Sequence, residues 1–262
     1  MSTISLATAP PSSQIRERFL DFKYAFWVIL KESATKPFLR PWEIYCQLKS
    51  FANPDRAALA DSDRSVSRIT RESIASGKLF PCHSDYAKLV PSTDQLLYAL
   101  DRVETLAQKM GIKQEVHLYA GLFSEEGSFG ASLFGKPSII KIGPSLLNSK
   151  TNPEIDFVLA HELAHIKHHD NVRSVAFMAA AMLVQTVFFF AISPLALLVL
   201  EPVINLSQNY LLSRSQESRA DRTSIQTLQT NAGAIRYLSE EIGFWRFFKT
   251  STHADILKVT MP

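Results

Sequence analysis

The spacing of apolar residues predicts a long helix near the middle of the chain. Four aliphatic side chains recur every third residue and so share one helix face, namely Leu97, Leu100, Val103 and Leu106. Ser92 and Gln95 match the capping box that begins many helices, and Gly111 matches the glycine that commonly ends them. We therefore expect one amphipathic helix between Ser92 and Gly111.

The pattern before residue 92 is less regular. It predicts a flexible tail over residues 1–13, rich in Ser, Thr, Ala and Pro, and then a helical region over residues 14–91. Within that region the first helix is expected at residues 14–31, because Pro37 and Pro41 interrupt the chain beyond it.

Two further stretches of this region carry an expectation. The apolar run at residues 24–30 would span only about 10 Å of helix, far less than the roughly 30 Å of a bilayer core. We expect it to dock on the domain or to lie on a membrane surface. Residues 53–76 are polar and charged, and they predict a solvated helix or a linker.

Downstream of the amphipathic helix the pattern changes to short strand-like runs. Three of them are expected to form a small sheet, at residues 115–120, 129–134 and 138–142. A helix should follow, with Asn152 as its N-terminal cap, Pro153 at its first position and acidic Glu154 and Asp156 in its first turn. The predicted fold is mainly α with a small β-sheet, an α+β arrangement.

Composition removes several function classes. The net charge of +3 is small and the basic residues are spread along the chain, so no nucleic-acid partner is expected. The two cysteines, Cys46 and Cys82, cannot form a disulfide scaffold and offer no Cys-x-x-Cys metal knuckle. Both are expected to be ordinary buried or half-buried thiols.

The helix predicted to start at Asn152 carries the sequence His161-Glu162-Leu163-Ala164-His165. Histidines four residues apart lie on one helix face, so both imidazoles can reach one zinc ion. Glu162 is offset from them, where it could take a proton from a water that zinc has made more acidic. Taken alone, the five residues would also fit a buried helix with two satisfied histidines.

A second cluster, at residues 213–222, could complete the site. Glu217 and Asp221 are four residues apart and share a helix face. Glu217 could supply the third zinc ligand, and Asp221 could accept a hydrogen bond from a ligand histidine and fix its tautomer. The alternative is a solvated helix face on which Arg214, Glu217, Arg219 and Asp221 form salt bridges.

The segments HELAHIKHHDNV and SRSQESRAD together resemble the membrane-linked metalloprotease family of HtpX and the CAAX prenyl proteases. The resemblance extends from about residue 127 to residue 253. It implies a gluzincin-like zinc protease domain, placed at residues 92–262. It also implies one Zn²⁺ per chain, bound by His161, His165 and Glu217, with Glu162 as the general base.

The same resemblance makes His253 a possible site residue, because Ser251-Thr252-His253 is similar to a Thr-His-Pro segment of the family. Here Ala254 replaces the proline. The motif spacing excludes a metzincin, which needs glycine at position 168 and histidine at position 171, where this chain has His168 and Asn171. His168 is expected to lie outside the ligand set, behind a ligand or at the surface.

An apolar insert, residues 174–212, separates the two motifs. Residues 174–200 contain no charged side chain, which is typical of a membrane span. However, Glu217 must return to the zinc, and basic residues flank both ends, at Lys167, Arg173 and Arg214. We expect an apolar helical hairpin, partly embedded in lipid or packed against the protein. The alternative is a pair of buried core helices.

These observations favour a zinc-dependent endopeptidase that hydrolyses peptide bonds of membrane-associated or misfolded protein substrates. Zinc is the expected metal because two imidazoles and a carboxylate suit it. The protein is expected at a membrane with its catalytic site facing the cytoplasm. The alternative is a catalytically silent, membrane-bound adaptor or holdase that uses the metal site structurally, although such a site would not need Glu162.

Overall fold

The computed structural model describes residues 42, 44–53, 67–77, 79, 91–120, 127–129, 136–191, 200, 203–204 and 207–241. These residues form mainly helices around a small mixed sheet, which confirms the expected fold class at that level.

The sheet has four strands in the order β1-β2-β4-β3. They are β1 Ser67–Ile69, β2 Val116–Ala120, β3 Gly127–Phe129 and β4 Ser138–Ile142. The central pair, β2 and β4, is parallel, with Leu118 opposite Ile140, and both outer strands run antiparallel to their neighbours. Leu118, Ile140 and Ile142 are buried, so the sheet contributes directly to the core.

In the described part of the chain, the labelled helices are, in order, α1 Arg71–Ala75, α2 Thr93–Met110, α3 Pro144–Ser149, α4 Asn152–His168, α5 Asp170–Ala191, α6 Arg214–Leu228 and α7 Ala232–Glu241. Residues 44–52 are helical as well, and a π-helical turn, Ser207–Ser213, leads directly into α6. The predicted ends of α2 are confirmed. Ser92 and Gln95 form its capping box, and Gly111 ends it in the left-handed conformation with φ of 71°.

The helix that carries the histidine motif, α4, begins one residue earlier than predicted. Its cap is Thr151 rather than Asn152, and Asn152 is the first helical residue. Glu154 closes the first turn on Thr151, because the backbone N–H and the hydroxyl of Thr151 both donate to Glu154 Oε2, at 2.7 and 2.5 Å. The sequence signal was therefore in the right turn of the chain but assigned to the wrong side chain.

Helix α4 is buried nearly all round, as expected of a helix whose apolar residues are not confined to one face. It packs against α2, the sheet, α6 and α7. Its fully or almost fully buried apolar side chains are Ile155, Phe157, Val158, Leu159, Ala160, Leu163, Ala164 and Ile166. Burial of one Leu, Ile or Phe side chain stabilises the fold by about 1.5–3 kcal/mol. The helix is thus a rigid support for the side chains that leave it.

Polar contacts at Asp156 attach the beginning of α4 to α2. Arg102 of α2 donates from Nε and Nη2 to the two carboxylate oxygens of Asp156, each at 2.6 Å. The Tyr98 hydroxyl donates to Asp156 at 2.8 Å. Burial together with this hydrogen bond raises the pKa of Tyr98 to about 12. The bidentate pair also defines the rotation of α4 relative to α2, because both guanidinium bonds must be made at once.

Helix α7 approaches the start of α4 more closely than any side chain would permit. A Cβ on Gly233 would lie 1.9 Å from the backbone oxygen of Pro153. Glycine is therefore required there by the contact rather than by a turn.

The structure corrects one expectation for the N-terminal region, and two others concern residues that it does not describe. Residues 53–76 are not simply a solvated helix or linker, because they include β1 and α1. Ile69 pairs with Leu118 in the sheet, and both Ile69 and Ile74 are buried. The helix expected at residues 14–31 and the tail at residues 1–13 lie outside the described residues.

Two other expectations are only partly covered. Of the strand predicted at residues 129–134, only Phe129 lies in β3, and residues 130–135 are not among those described. Of the apolar insert, α5 and the π-helical turn are described, whereas the bend expected between two hairpin arms falls in residues 192–199, which are not. In the described part of the chain, no helix is both long enough and apolar enough to cross a membrane.

Candidate metal centre

His161 and His165 leave α4 on the same face, one helical turn apart. Their rings are nearly perpendicular, with an interplanar angle of 80° and centroids 4.7 Å apart. The Nε2 atoms approach each other to 3.0 Å. Both side chains are 13% exposed, so the pair lies just below the surface.

Glu217, near the start of α6, completes a group of three donors. Its Oε2 is 3.1 Å from Nε2 of His161, and its Oε1 is 3.7 Å from Nε2 of His165. One ligand atom from each residue lies within 4.8 Å of the others, and this is the potential metal-binding group found among the described residues. It forms because α6 packs against α4.

Each histidine also has a carboxylate on its other nitrogen. Nδ1 of His161 lies 2.8 Å from Oδ1 of Asp221, one turn beyond Glu217 on α6. Nδ1 of His165 lies 2.9 Å from Oδ2 of Asp170, the first residue of α5. A carboxylate acceptor places the imidazole proton on Nδ1 and leaves the Nε2 lone pair available for a metal.

The Asp170 contact was missed in the sequence, where this residue appeared only as part of the family-like segment. It arises because His169 ends α4 in the left-handed conformation, with φ of 56°. That turn brings Asp170 back to a residue five positions earlier. A left-handed residue at a helix end is usually glycine or asparagine, so the histidine at position 169 does not predict this conformation. An acidic residue directly after the last turn was the available signal.

The arrangement of nitrogen lone pairs fits a bound cation. If both Nδ1 atoms carry protons, two lone pairs face each other at 3.0 Å, which is repulsive unless a cation lies between them. Zinc–nitrogen bonds of about 2.0–2.1 Å in a tetrahedral site would put the two nitrogens about 3.3 Å apart, close to this separation. The donor set of two imidazoles and one carboxylate is one that zinc commonly takes.

The same hydrogen bonds and charges shift the pKa values of His161 and Asp170. Burial disfavours a charged His161, but hydrogen bonds to Asp221 and Glu217 outweigh burial and raise the pKa of His161 well above its usual value. Burial would likewise raise the pKa of Asp170, yet its hydrogen bond to His165 and the charge of Arg219 outweigh that and lower it. The surroundings therefore stabilise positive charge at His161 and negative charge at Asp170.

The remaining predicted site residues have different positions. Glu162 follows His161 on α4 and is 9% exposed, and its charge contributes to raising the pKa of His161. His168 contacts the Thr223 hydroxyl at 3.0 Å and is not part of the three-donor group. His253 lies outside the described residues.

Comparison with known proteins assigns this arrangement to a family. The model of peptidase family M48 matches residues 98–257, which is more than half of the chain and includes every donor named above. The chain belongs to peptidase family M48. M48 is a family of zinc metallopeptidases, so the expected resemblance to the HtpX family is confirmed.

Individual relatives of this M48 chain are HtpX homologues. A protease HtpX homolog of Janthinobacterium sp. (strain Marseille) is 39% identical over 83 residues, which is 31% of this chain and 28% of that protein. One of Listeria monocytogenes serotype 4b (strain CLIP80459) is 22% identical over 190 residues, 61% of this chain and 62% of that protein. The matches therefore cover less than two thirds of these relatives. No solved structure matches the chain significantly.

The two carboxylates of α6 should respond differently to substitution. Glu217→Ala should leave the M48 chain without stoichiometric zinc, because two imidazoles remain as the only protein donors of the group. Asp221→Asn should bind zinc about 10- to 100-fold more weakly than the unmodified chain, which is the usual cost of losing a partner that orients a ligand. Zinc affinity can be measured by competition with a chromophoric chelator.

Arg222→Ala is the matched control, because Arg222 is exposed on the same helix. Its zinc affinity should equal that of the unmodified chain. A larger loss of zinc in Asp221→Asn than in Glu217→Ala would mean that the two carboxylates have the opposite roles.

Proposed function

We propose that this M48 chain is a zinc-dependent endopeptidase in which His161, His165 and Glu217 hold the metal and Glu162 is the general base. The observation that carries the proposal is the convergence of the two Nε2 atoms and the Glu217 carboxylate, with Nδ1 of each histidine on a carboxylate. Bound zinc would supply Lewis-acid chemistry, making a water more acidic and polarising a peptide carbonyl.

The residues of the chain then have distinct tasks. Asp221 holds the ring of His161 in one orientation through Nδ1, so that its Nε2 remains aimed at Glu217. Glu162 lies next to His161 on α4, whose apolar residues are part of the buried core. In this role it accepts the proton of the attacking water, and its limited exposure reduces competition from bulk solvent.

We propose that the substrate is a membrane-associated or misfolded protein that binds as an extended segment. Strand β3 stands at one end of the sheet order, paired through Ser128 with Ile140 of β4, and it also lies against α4. A segment that adds to β3 by backbone hydrogen bonds would therefore run past the helix that carries the histidines. Unfolded regions satisfy this requirement, because their backbone groups are free to pair.

Glu162→Gln tests the assignment of the base. The variant should keep its fold and its zinc but lose about 10²- to 10⁴-fold in kcat, because an amide cannot accept the proton. Cleavage of a fluorescently labelled unfolded casein, together with zinc content, measures both effects. Glu115→Gln is the control, since its carboxylate is 70% exposed, and it should cleave at the unmodified rate.

Two outcomes would reject the endopeptidase. Equal turnover in Glu162→Gln and the unmodified chain would remove Glu162 from the mechanism. Stoichiometric zinc without any peptide hydrolysis in the unmodified chain would instead favour an adaptor or holdase that uses the metal structurally.

We also propose that the protein associates with a membrane through the apolar hairpin of residues 174–212. Three large apolar side chains of α5 are exposed, namely Leu183 at 65%, Val184 at 44% and Val187 at 62%. The helical residues 44–52 pack against the first half of α5. Tyr45 and Leu48 of this segment are exposed, as is Trp42 just before it. Aromatic residues and lysines, such as Lys49 beside the Tyr45 ring, suit the interface between lipid and water.

The side of the membrane follows from the basic flanks. Lys167, Arg173 and Arg214 border the insert at both ends, and positively charged flanks are retained in the cytoplasm. We therefore place the catalytic site on the cytoplasmic side.

Flotation with vesicles of phosphatidylcholine and phosphatidylglycerol tests the membrane contact. The unmodified chain should float in low and in high salt, because the contact is apolar. The double variant Leu183→Glu and Val187→Glu should remain at the bottom of the gradient. Ile235→Glu should still float, because Ile235 is exposed on a different helix. If the unmodified chain never floats, the membrane proposal fails and the peptidase proposal stands.

A further inference from the structure

We infer that Asp170 is a positioning residue for the reaction, which orients His165 and is itself held in place by Arg219. Through it, the geometry of the metal centre depends on where the first turn of α5 lies. The inference rests on the proposed function, and it concerns two residues that the sequence motifs left without a task.

The first step is the hydrogen bond between His165 and Asp170. Oδ2 of Asp170 lies 2.9 Å from Nδ1 of His165, and the Asp170 side chain is only 4% exposed. The bond depends on the left-handed turn at His169, which lets the next helix start beside the previous one. A buried carboxylate at this distance fixes both the ring angle and the tautomer of the imidazole.

The second step is the contact of Asp170 with α6. Arg219 donates from Nη2 to the other carboxylate oxygen, Oδ1, so each oxygen of Asp170 has its own partner. A buried carboxylate without a compensating cation is strongly destabilising, so the arginine keeps Asp170 charged in place. Arg173 approaches the same oxygen only to 3.8 Å and is half exposed, which makes it a much weaker partner.

The third step is the fixation of the backbone around Asp170. Gln216 of α6 donates to the backbone oxygen of Asp170 at 3.3 Å and lies 3.3 Å from the Ser174 hydroxyl. The amide of Gln216 therefore joins α6 to the first turn of α5. Gln216 and Arg219 lie close to Glu217 on α6. The helix that carries the proposed carboxylate ligand therefore also binds Asp170, the hydrogen-bond partner of His165.

Through these contacts, side chains of α6 orient both histidines. Asp221 reaches His161 directly, and Arg219 reaches His165 through Asp170. The two routes differ in one respect, since Asp170 belongs to the helix that opens the apolar insert. A shift of that helix would move the carboxylate behind His165 while leaving the one behind His161 in place.

Zinc affinity and a spectroscopic signature separate this role from a merely structural ion pair. Asp170→Asn should weaken zinc binding about 10- to 100-fold and should lower kcat with little change in KM. The visible spectrum of the cobalt-substituted protein should change as well, because it reports the ligand geometry around the metal. Arg219→Met should change zinc affinity, kcat and the cobalt spectrum in the same direction as Asp170→Asn, but by a smaller amount.

Arg173→Met is the matched control, since it removes the more distant arginine next to the same oxygen. It should leave zinc affinity, cobalt spectrum and kcat unchanged. If Asp170→Asn does not fold, Arg219→Met carries the test, because the Arg219 side chain is 31% exposed.

The failure of this inference can be told from failure of the proposed function. If the unmodified chain binds zinc and cleaves peptide while Asp170→Asn and Arg219→Met keep its zinc affinity and cobalt spectrum, Asp170 and Arg219 have only a structural role and the inference alone is wrong. If the unmodified chain binds no zinc, the proposed function is wrong and the inference falls with it.

Discussion

The site depends on one contact, in which Nε2 of His161 and Nε2 of His165 lie 3.0 Å apart beside the carboxylate of Glu217. Their orientation is imposed from behind, because Asp221 and Asp170 each accept a hydrogen bond from Nδ1. Glu217 adds a third donor on the open side. Three carboxylates thus contact the two imidazoles, and Arg219 contacts one of these carboxylates, that of Asp170. A divalent metal would offset this negative charge.

The positions of these side chains depend on how firmly α4 is packed. Its apolar residues are buried against α2, the sheet, α6 and α7, while Arg102 fixes its rotation through Asp156. The chemistry is placed on only a few positions of this helix. Helix α6 contributes the complementary side chains, and its packing against α4 converts two sequence motifs about fifty residues apart into one site.

The sequence was informative wherever a spacing has only one geometric consequence. Residues four apart on a helix share a face, so His161 with His165, and Glu217 with Asp221, could be paired before any fold was known. Other features depend on contacts that spacing does not encode. Strand β1 has three residues, too few to show alternation, and it forms because Ile69 can pair with Leu118. The Asp170 contact needed a left-handed residue that is neither glycine nor asparagine.

The central claim is that His161 and His165 bind one zinc ion, and metal analysis of the purified chain tests it most directly. After dialysis the unmodified chain should retain about one zinc per molecule, because three protein donors hold it. His161→Ala and His165→Ala should each retain essentially none. His168→Ala should remain loaded, since His168 contacts Thr223 instead. Full zinc content in both His161→Ala and His165→Ala would contradict the account.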